Sequence, residues 1–287
     1  MRETPFFVPY GEDHLAAVLC VPEEAPRALV LLLQGGSSTR GHNNQKWTRL
    51  ARELAGLGIA SVRMDYVGMG DSTGSYQFEV AAPPVEQAEA VLFGAQEALG
   101  MTEYAVVGNC IGLRTAFTLA GRVRGCLGVA AIFSRSMGPI LAPREKDSTR
   151  PAPPPRARPR SRFHPRRLLA GALRRLRRKR RALVLPVMPE FARVLTSTEV
   201  LMLHAATDQW ERRLEATAQA IERSRRGQPG PHIKLIRVPS RELEKQAAVV
   251  STVSRWMDRI LPGSSPRSQD DREQPGVLAT GPGASHA

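Results

Sequence analysis

Short, almost wholly apolar runs alternate with stretches of helical periodicity along the first 133 residues, and this alternation restricts the fold more than any other feature of the chain. Arg27 to Gln34, Ala60 to Tyr66, Tyr104 to Asn109 and Cys126 to Phe133 each read as a buried strand. Helical patterns from about Trp47 to Leu57, Val85 to Leu99 and Ile111 to Gly121 separate them, with Gly58 placed to end the first. Strands that are apolar on both faces and separated by helix-length crossovers predict a mostly parallel sheet covered by helices on both sides. Two earlier strands, Pro5 to Pro9 and His14 to Val21, meet at Gly11 and predict an antiparallel hairpin. After a long interruption the alternation resumes with Val200 to Ala206, a helix, Ile233 to Val238 and a closing helix from about Ala247 to Leu261.

The interruption separates three regions. Residues 1–133 and 199–261 form the core domain, residues 134–198 an insertion, and residues 262–287 a disordered tail rich in Gly, Pro, Ser and charge. The insertion also holds the charge. The chain carries 41 Lys and Arg against 27 Asp and Glu, and residues 150–182 alone contain thirteen Arg and one Lys with no acid, so the remaining 27 cations balance the 27 acids. Within that segment Leu168, Leu169, Ala172, Leu173 and Leu176 recur at helical spacing among arginines, which predicts a basic amphipathic helix. Such a segment is either a solvated face or a surface for something anionic, an acidic carrier protein or an anionic membrane surface. Nucleic acid ranks last, because no recognised nucleic-acid module with interleaved aromatics is present.

Three cysteines (Cys20, Cys110 and Cys126) give neither a disulfide framework nor metal-ligand spacing, and no cofactor is expected. No apolar run reaches membrane-spanning length and the amino terminus lacks a signal-peptide layout, so the expected location is cytoplasmic.

The stretch VVGNCIG puts Cys110 in the pattern G-x-C-x-G, between a predicted strand and a predicted helix. That context is what a nucleophile elbow requires: a tight strand-to-helix turn, flanked by small residues, with the nucleophile at its tip. A helix amino terminus favours the thiolate, and a thiolate is a strong nucleophile for acyl carbons. The backbone N–H of Ile111 would then be the first oxyanion donor, and Gly36 or Ser37, in the QGGSS loop after the Leu31 to Gln34 strand, would supply the second.

The stretch QGGSSTRGHNNQKWTRLARELAGLGIASVRMDYVGMGDSTG, with the elbow GNCIG, resembles the exosortase-A-system-associated hydrolases, a branch of the α/β-hydrolase superfamily. The shared features are the GG loop, the His that follows it, the L-A-R helix, the R-x-D-Y-x-G-M-G-D-S loop and the elbow cysteine. The likeness covers residues 5–133 well and 200–261 loosely. It implies an α/β-hydrolase fold, a mostly parallel twisted sheet flanked by helices, with the basic segment as a helical cap. It also implies an acyl-type site in which Asp208 is the triad acid. Asp65 and Asp71 match family positions too, and are expected to fix loops rather than to act in chemistry.

The general base is where the pattern breaks. The fold expects a histidine between the last strand and the last helix, and this chain carries Leu243 there, flanked by Glu242 and Glu244. His42 is the candidate base or pocket residue, with His204 and His164 weaker candidates. Two readings follow. One is a Cys-nucleophile enzyme acting on a small-molecule or carrier-bound ester or thioester by hydrolysis, acyl transfer or elimination. The other is a catalytically degenerate scaffold that binds a ligand or an anionic partner, which the leucine at 243 favours.

Overall fold

The computed structural model describes residues 1–35, 38–76, 82–132, 194–195, 197–205, 215, 218–219, 223, 233–238 and 246–263. Eight strands build one sheet: β1 (Arg2–Tyr10), β2 (Asp13–Val21), β3 (Ala28–Leu33), β4 (Ile59–Met64), β5 (Tyr104–Asn109), β6 (Cys126–Ile132), β7 (Glu199–Ala205) and β8 (Ile233–Val238). Their order is β1-β2-β4-β3-β5-β6-β7-β8. β1 pairs antiparallel with β2, and β2 antiparallel with β4; every other pairing is parallel.

The predicted hairpin forms, with Gly11 turning at φ 61°, and its first strand is longer than the Pro5 to Pro9 reading. β1 lies at the sheet edge, where Pro5 and Pro9 are tolerated because an edge strand need not donate on its outer side. The inner strands agree with the sequence reading to within one or two residues at their ends. Phe133 lies outside the described residues, as do the basic segment and residues 264–287 of the tail.

Period-two alternation in the strands assigns the two faces. Leu29, Leu31 and Leu33 of β3 pack on one side with Ala60, Val62 and Met64 of β4, beneath α2 (Val85–Leu99) and α3 (Ile111–Arg122). Val30 and Leu32 face the other side with Ala105 and Val107 of β5, beneath α1 (Lys46–Gly56) and α4 (Gln246–Ile260). These five β3 side chains are fully buried, which accounts for the unbroken apolar run seen in the sequence. Helix α1 contributes Trp47, Leu50, Ala51 and Leu54, and α4 Val249, Val250, Val253, Trp256 and Met257, each set along one helical stripe. Arg27 joins these layers: it donates to the carbonyls of Leu57 (3.1 Å), Leu261 (3.1 Å) and Pro262 (2.7 Å) and pairs with Asp258.

Strand order reverses at β3. The chain leaves β3 for β4 on one side, and leaves β5, on the other side of β3, for β6. The loops beyond the carboxyl ends of β3 and β5 therefore diverge, and it is at such a switch point that sheets of this kind form a crevice. Among the described residues no helix is long and apolar enough to cross a membrane.

Candidate active site

At that switch point β5 ends in Asn109, α3 begins at Ile111, and Cys110 makes the turn alone. Its backbone sits at φ 57°, ψ −127°, a conformation that costs a non-glycine residue on the order of 1–3 kcal/mol and persists only where the surroundings impose it. The surroundings here are two close approaches. A Cβ on Gly108 would lie 2.4 Å from the Gly112 carbonyl oxygen and 2.6 Å from Leu113 Cα, and one on Gly112 would lie 2.5 Å from the Leu33 oxygen. The flanking glycines thus let α3 press onto β5 and β3, and this packing forces the turn. Cys110 is partly exposed, as is Cys126, whereas Cys20 is buried with its Sγ 3.6 Å from the Ala51 carbonyl. Burial pushes the Cys20 thiol up and that of Cys126 up to about 12.

Ile111 is the first residue of α3, a position whose N–H has no acceptor within the helix. The other expected oxyanion donors, Gly36 and Ser37, lie outside the described residues, but their neighbours are placed. A Cβ on Gly35 would come within 2.9 Å of Cys110 Cβ and 3.6 Å of its Sγ, so the β3 loop starts directly against Cys110. Ser38 N donates back to the Gly35 carbonyl at 3.3 Å, which draws the ends of this loop together.

A buried carboxylate fixes the loops. Asp65, fully buried, accepts from Arg40 N (2.6 Å) and Asp71 N (3.2 Å) and pairs with the Arg40 guanidinium, which also holds Asp71. The Ser72 hydroxyl donates to the Asp65 carbonyl at 2.8 Å, and a Cβ on Gly70 would collide with the Asp65 carboxylate at 2.1 Å. Asp65 and Asp71 therefore act on loop geometry, with Arg40 as the cation between them. Beneath the β3 loop, Gln34 donates from Nε2 to the Met64 carbonyl (2.5 Å), and the Tyr66 hydroxyl donates to the Gln34 carbonyl (3.4 Å). Burial holds the Tyr66 phenol far above its ordinary range, and the nearby Cys110 raises it further, so the phenol stays neutral beside the elbow.

His42 is buried in the same loop. Its Nδ1 accepts from Asn43 N at 2.6 Å, its Nε2 meets the Asn109 carboxamide at 2.7 Å, and its ring stands edge-on to Trp47 with centroids 5.0 Å apart. Burial, aided by the charge of Lys46, lowers its pKa to about 4. Both ring nitrogens are engaged, so the ring offers no free lone pair with which to take a proton from the thiol. His204 lies within β7 at 2% exposure. Asp208, Leu243, Glu242, Glu244 and His164 all fall outside the described residues.

Sequence reading missed Asn109, Arg40, Gln34 and Tyr66. Asn109 stood inside the motif as its variable position, and nothing in the sequence connects it to a histidine 67 residues away. Among the described residues no group of three or more His, Cys, Asp or Glu could hold a metal ion.

No family model and no curated relative matches the sequence. Solved structures do. The chain is similar to a candidate α/β hydrolase of unknown function from Agrobacterium tumefaciens, with TM-score 0.58, 16% identity, and coverage of 92% of this chain and 100% of that one. It is similar to an α/β serine hydrolase homologue from Coxiella burnetii, with TM-score 0.56, 13% identity and coverage of 90% and 98%. A Pyrococcus furiosus esterase matches with TM-score 0.57, 12% identity and coverage of 91% and 94%. At such identities the likeness speaks to architecture, and with the mostly parallel eight-stranded sheet and its flanking helices it establishes that the chain has the α/β-hydrolase fold.

Proposed function

We propose that the chain is an enzyme of ester or thioester chemistry with Cys110 as its nucleophile. The observation that carries this reading is the backbone of Cys110, held at φ 57° at the tip of the strand-to-helix turn with Gly35 packed against its side chain. In this scheme the Cys110 thiolate attacks the acyl carbonyl, and the oxyanion accepts hydrogen bonds from the Ile111 amide and from Gly36 or Ser37. Collapse breaks the bond to the alkoxide or thiolate leaving group, which takes a proton, and leaves an acyl-Cys110 thioester. Water or a second nucleophile then cleaves that thioester and returns the thiol. Asp208 orients the base. The base itself is a residue other than His42, whose nitrogens are both occupied. The esterase among the structural relatives supports this reaction class. Acyl substrates are small or carrier-bound, and the arginines of residues 150–182 would favour an acidic carrier or an anionic membrane surface.

An acyl-transfer probe tests the scheme. Incubation with a small activated thioester, followed by peptide mass spectrometry, should place the acyl group on Cys110, and Cys110→Ala should abolish it. Absence of acylation in folded protein that still reacts with iodoacetamide at Cys110 would refute the enzyme reading. The second reading, a binding scaffold without turnover, is favoured by the two engaged nitrogens of His42 together with the leucine at 243. It predicts stoichiometric labelling of Cys110 without release of the acyl group.

A further inference from the structure

His42, Asn44 and Gln45 hold φ values of 59°, 54° and 60°, a cluster of strained non-glycine backbone in one short loop. Such strain persists when contacts over-determine it, and His42 has three: Asn43 N on Nδ1, Trp47 on the ring edge and Asn109 on Nε2. Together these fix the protonation pattern. Because Nδ1 accepts, a neutral ring carries its proton on Nε2. Nε2–H must meet an acceptor, so the Asn109 carboxamide, whose Nδ2 is placed 2.7 Å from Nε2, is turned end for end to present its oxygen to the ring. As placed, the carboxamide sets N–H against N–H and leaves Oδ1 buried without a partner. The charged group acting on the ring is Lys46, whose own pKa burial lowers.

We propose that His42 is a positioning residue for the nucleophile: its Nε2–H clamps the Asn109 carboxamide and thereby ties the loop after β3 to the elbow. Asn109 immediately precedes Cys110, and His42 lies seven residues beyond Gly35, which touches the Cys110 side chain. The clamp closes a circuit from Gly35 through the loop and His42 to Asn109 and Cys110, fixing the nucleophile relative to the loop. Its catalytic consequence rests on the reading of Cys110 as nucleophile. The contact itself does not.

Two measurements test it. In uniformly 15N-labelled protein, long-range proton–nitrogen correlations should show His42 as the Nε2–H tautomer and unprotonated between about pH 5 and pH 8. A proton on Nδ1, or titration in the ordinary histidine range, would overturn the clamp. Iodoacetamide alkylation of Cys110, followed by peptide mass spectrometry, reads positioning without any acyl chemistry. His42→Leu, which removes the donor, should slow alkylation about tenfold, and His42→Gln, which keeps an N–H donor, should restore most of the rate. Equal rates in the two variants would overturn the proposal. Should the leucine variant fail to fold, Asn109→Asp keeps it testable: a carboxylate facing Nε2–H must draw the ring titration upward, and an unmoved titration would overturn the contact. Failure of acyl labelling with these results intact would count against the proposed reaction and leave the clamp standing.

Discussion

Gly112→Ala puts the packing account of the elbow to a quantitative test. A methyl group there would stand 2.5 Å from the Leu33 oxygen, 2.6 Å from the Gln34 oxygen and 2.8 Å from the Leu33 carbonyl carbon, all of them backbone atoms. Ordinary contact begins near 3.4 Å, so α3 must withdraw from β3 by about 0.9 Å. Withdrawal is resisted because Leu113 and Phe117 anchor the helix at 0% and 1% exposure. Overpacking of this kind costs about 1–3 kcal/mol. At the middle of that range, about 2 kcal/mol, the better helix propensity of alanine returns up to about 1 kcal/mol, leaving a net loss of roughly 1–2 kcal/mol. For a domain of this size that lowers Tm by about 2–8 °C. Gly56→Ala is the control: Gly56 is the last residue of α1, and a Cβ there meets nothing within 4 Å, so the same substitution should stabilise by about 0.5 kcal/mol. Thermal unfolding followed by circular dichroism would compare the two. A Gly112→Ala protein that melts at or above Gly56→Ala would refute the claim that α3 is pressed onto β3.

Gly35→Ala should act on reactivity more than on stability, since the new methyl meets the Cys110 side chain at 2.9 Å rather than a backbone; about tenfold slower alkylation with less than about 1 kcal/mol lost is expected, and an unchanged rate would count against contact between the loop and Cys110. Alkylation of folded protein at pH 7 should modify Cys110 before Cys20 or Cys126: with its pKa pushed up to about 12, Cys126 is thiolate in only about one molecule in 10⁵, and Cys20 is buried. Faster labelling of Cys126 in folded protein would contradict that order. His42 makes stability depend on pH. Its folded pKa of about 4 lies below the ordinary 6.5, so the unfolded chain binds the extra proton between these values, and its contribution is complete above about pH 6.5 and falls by about 3 kcal/mol as pH drops to 4. Urea unfolding should show that part of the slope vanish in His42→Gln, and an identical slope in both proteins would argue that the ring is not buried neutral.

The strands, the helices and the elbow were readable in the residues because each rests on a local rule. Wholly apolar runs such as Leu29 to Leu33 mark strands covered on both faces, and Gly108 and Gly112 around Cys110 mark a turn that only small neighbours permit. The cysteine at the tip of the turn and the lack of a histidine at 243 were likewise plain from the chain itself. Tertiary structure alone decided the pairing of β2 with β4, because strand neighbours depend on which apolar faces can be covered together and not on any one segment. It also decided the function of the polar residues. The sequence made His42 a candidate base and Asn109 a filler between glycine and cysteine. The fold brings Nε2 within 2.7 Å of that carboxamide and gives Nδ1 an amide proton, which turns the ring from an acceptor into a donor. Apolar periodicity is written along a chain, whereas the protonation pattern of a buried side chain is set by neighbours that only folding assembles.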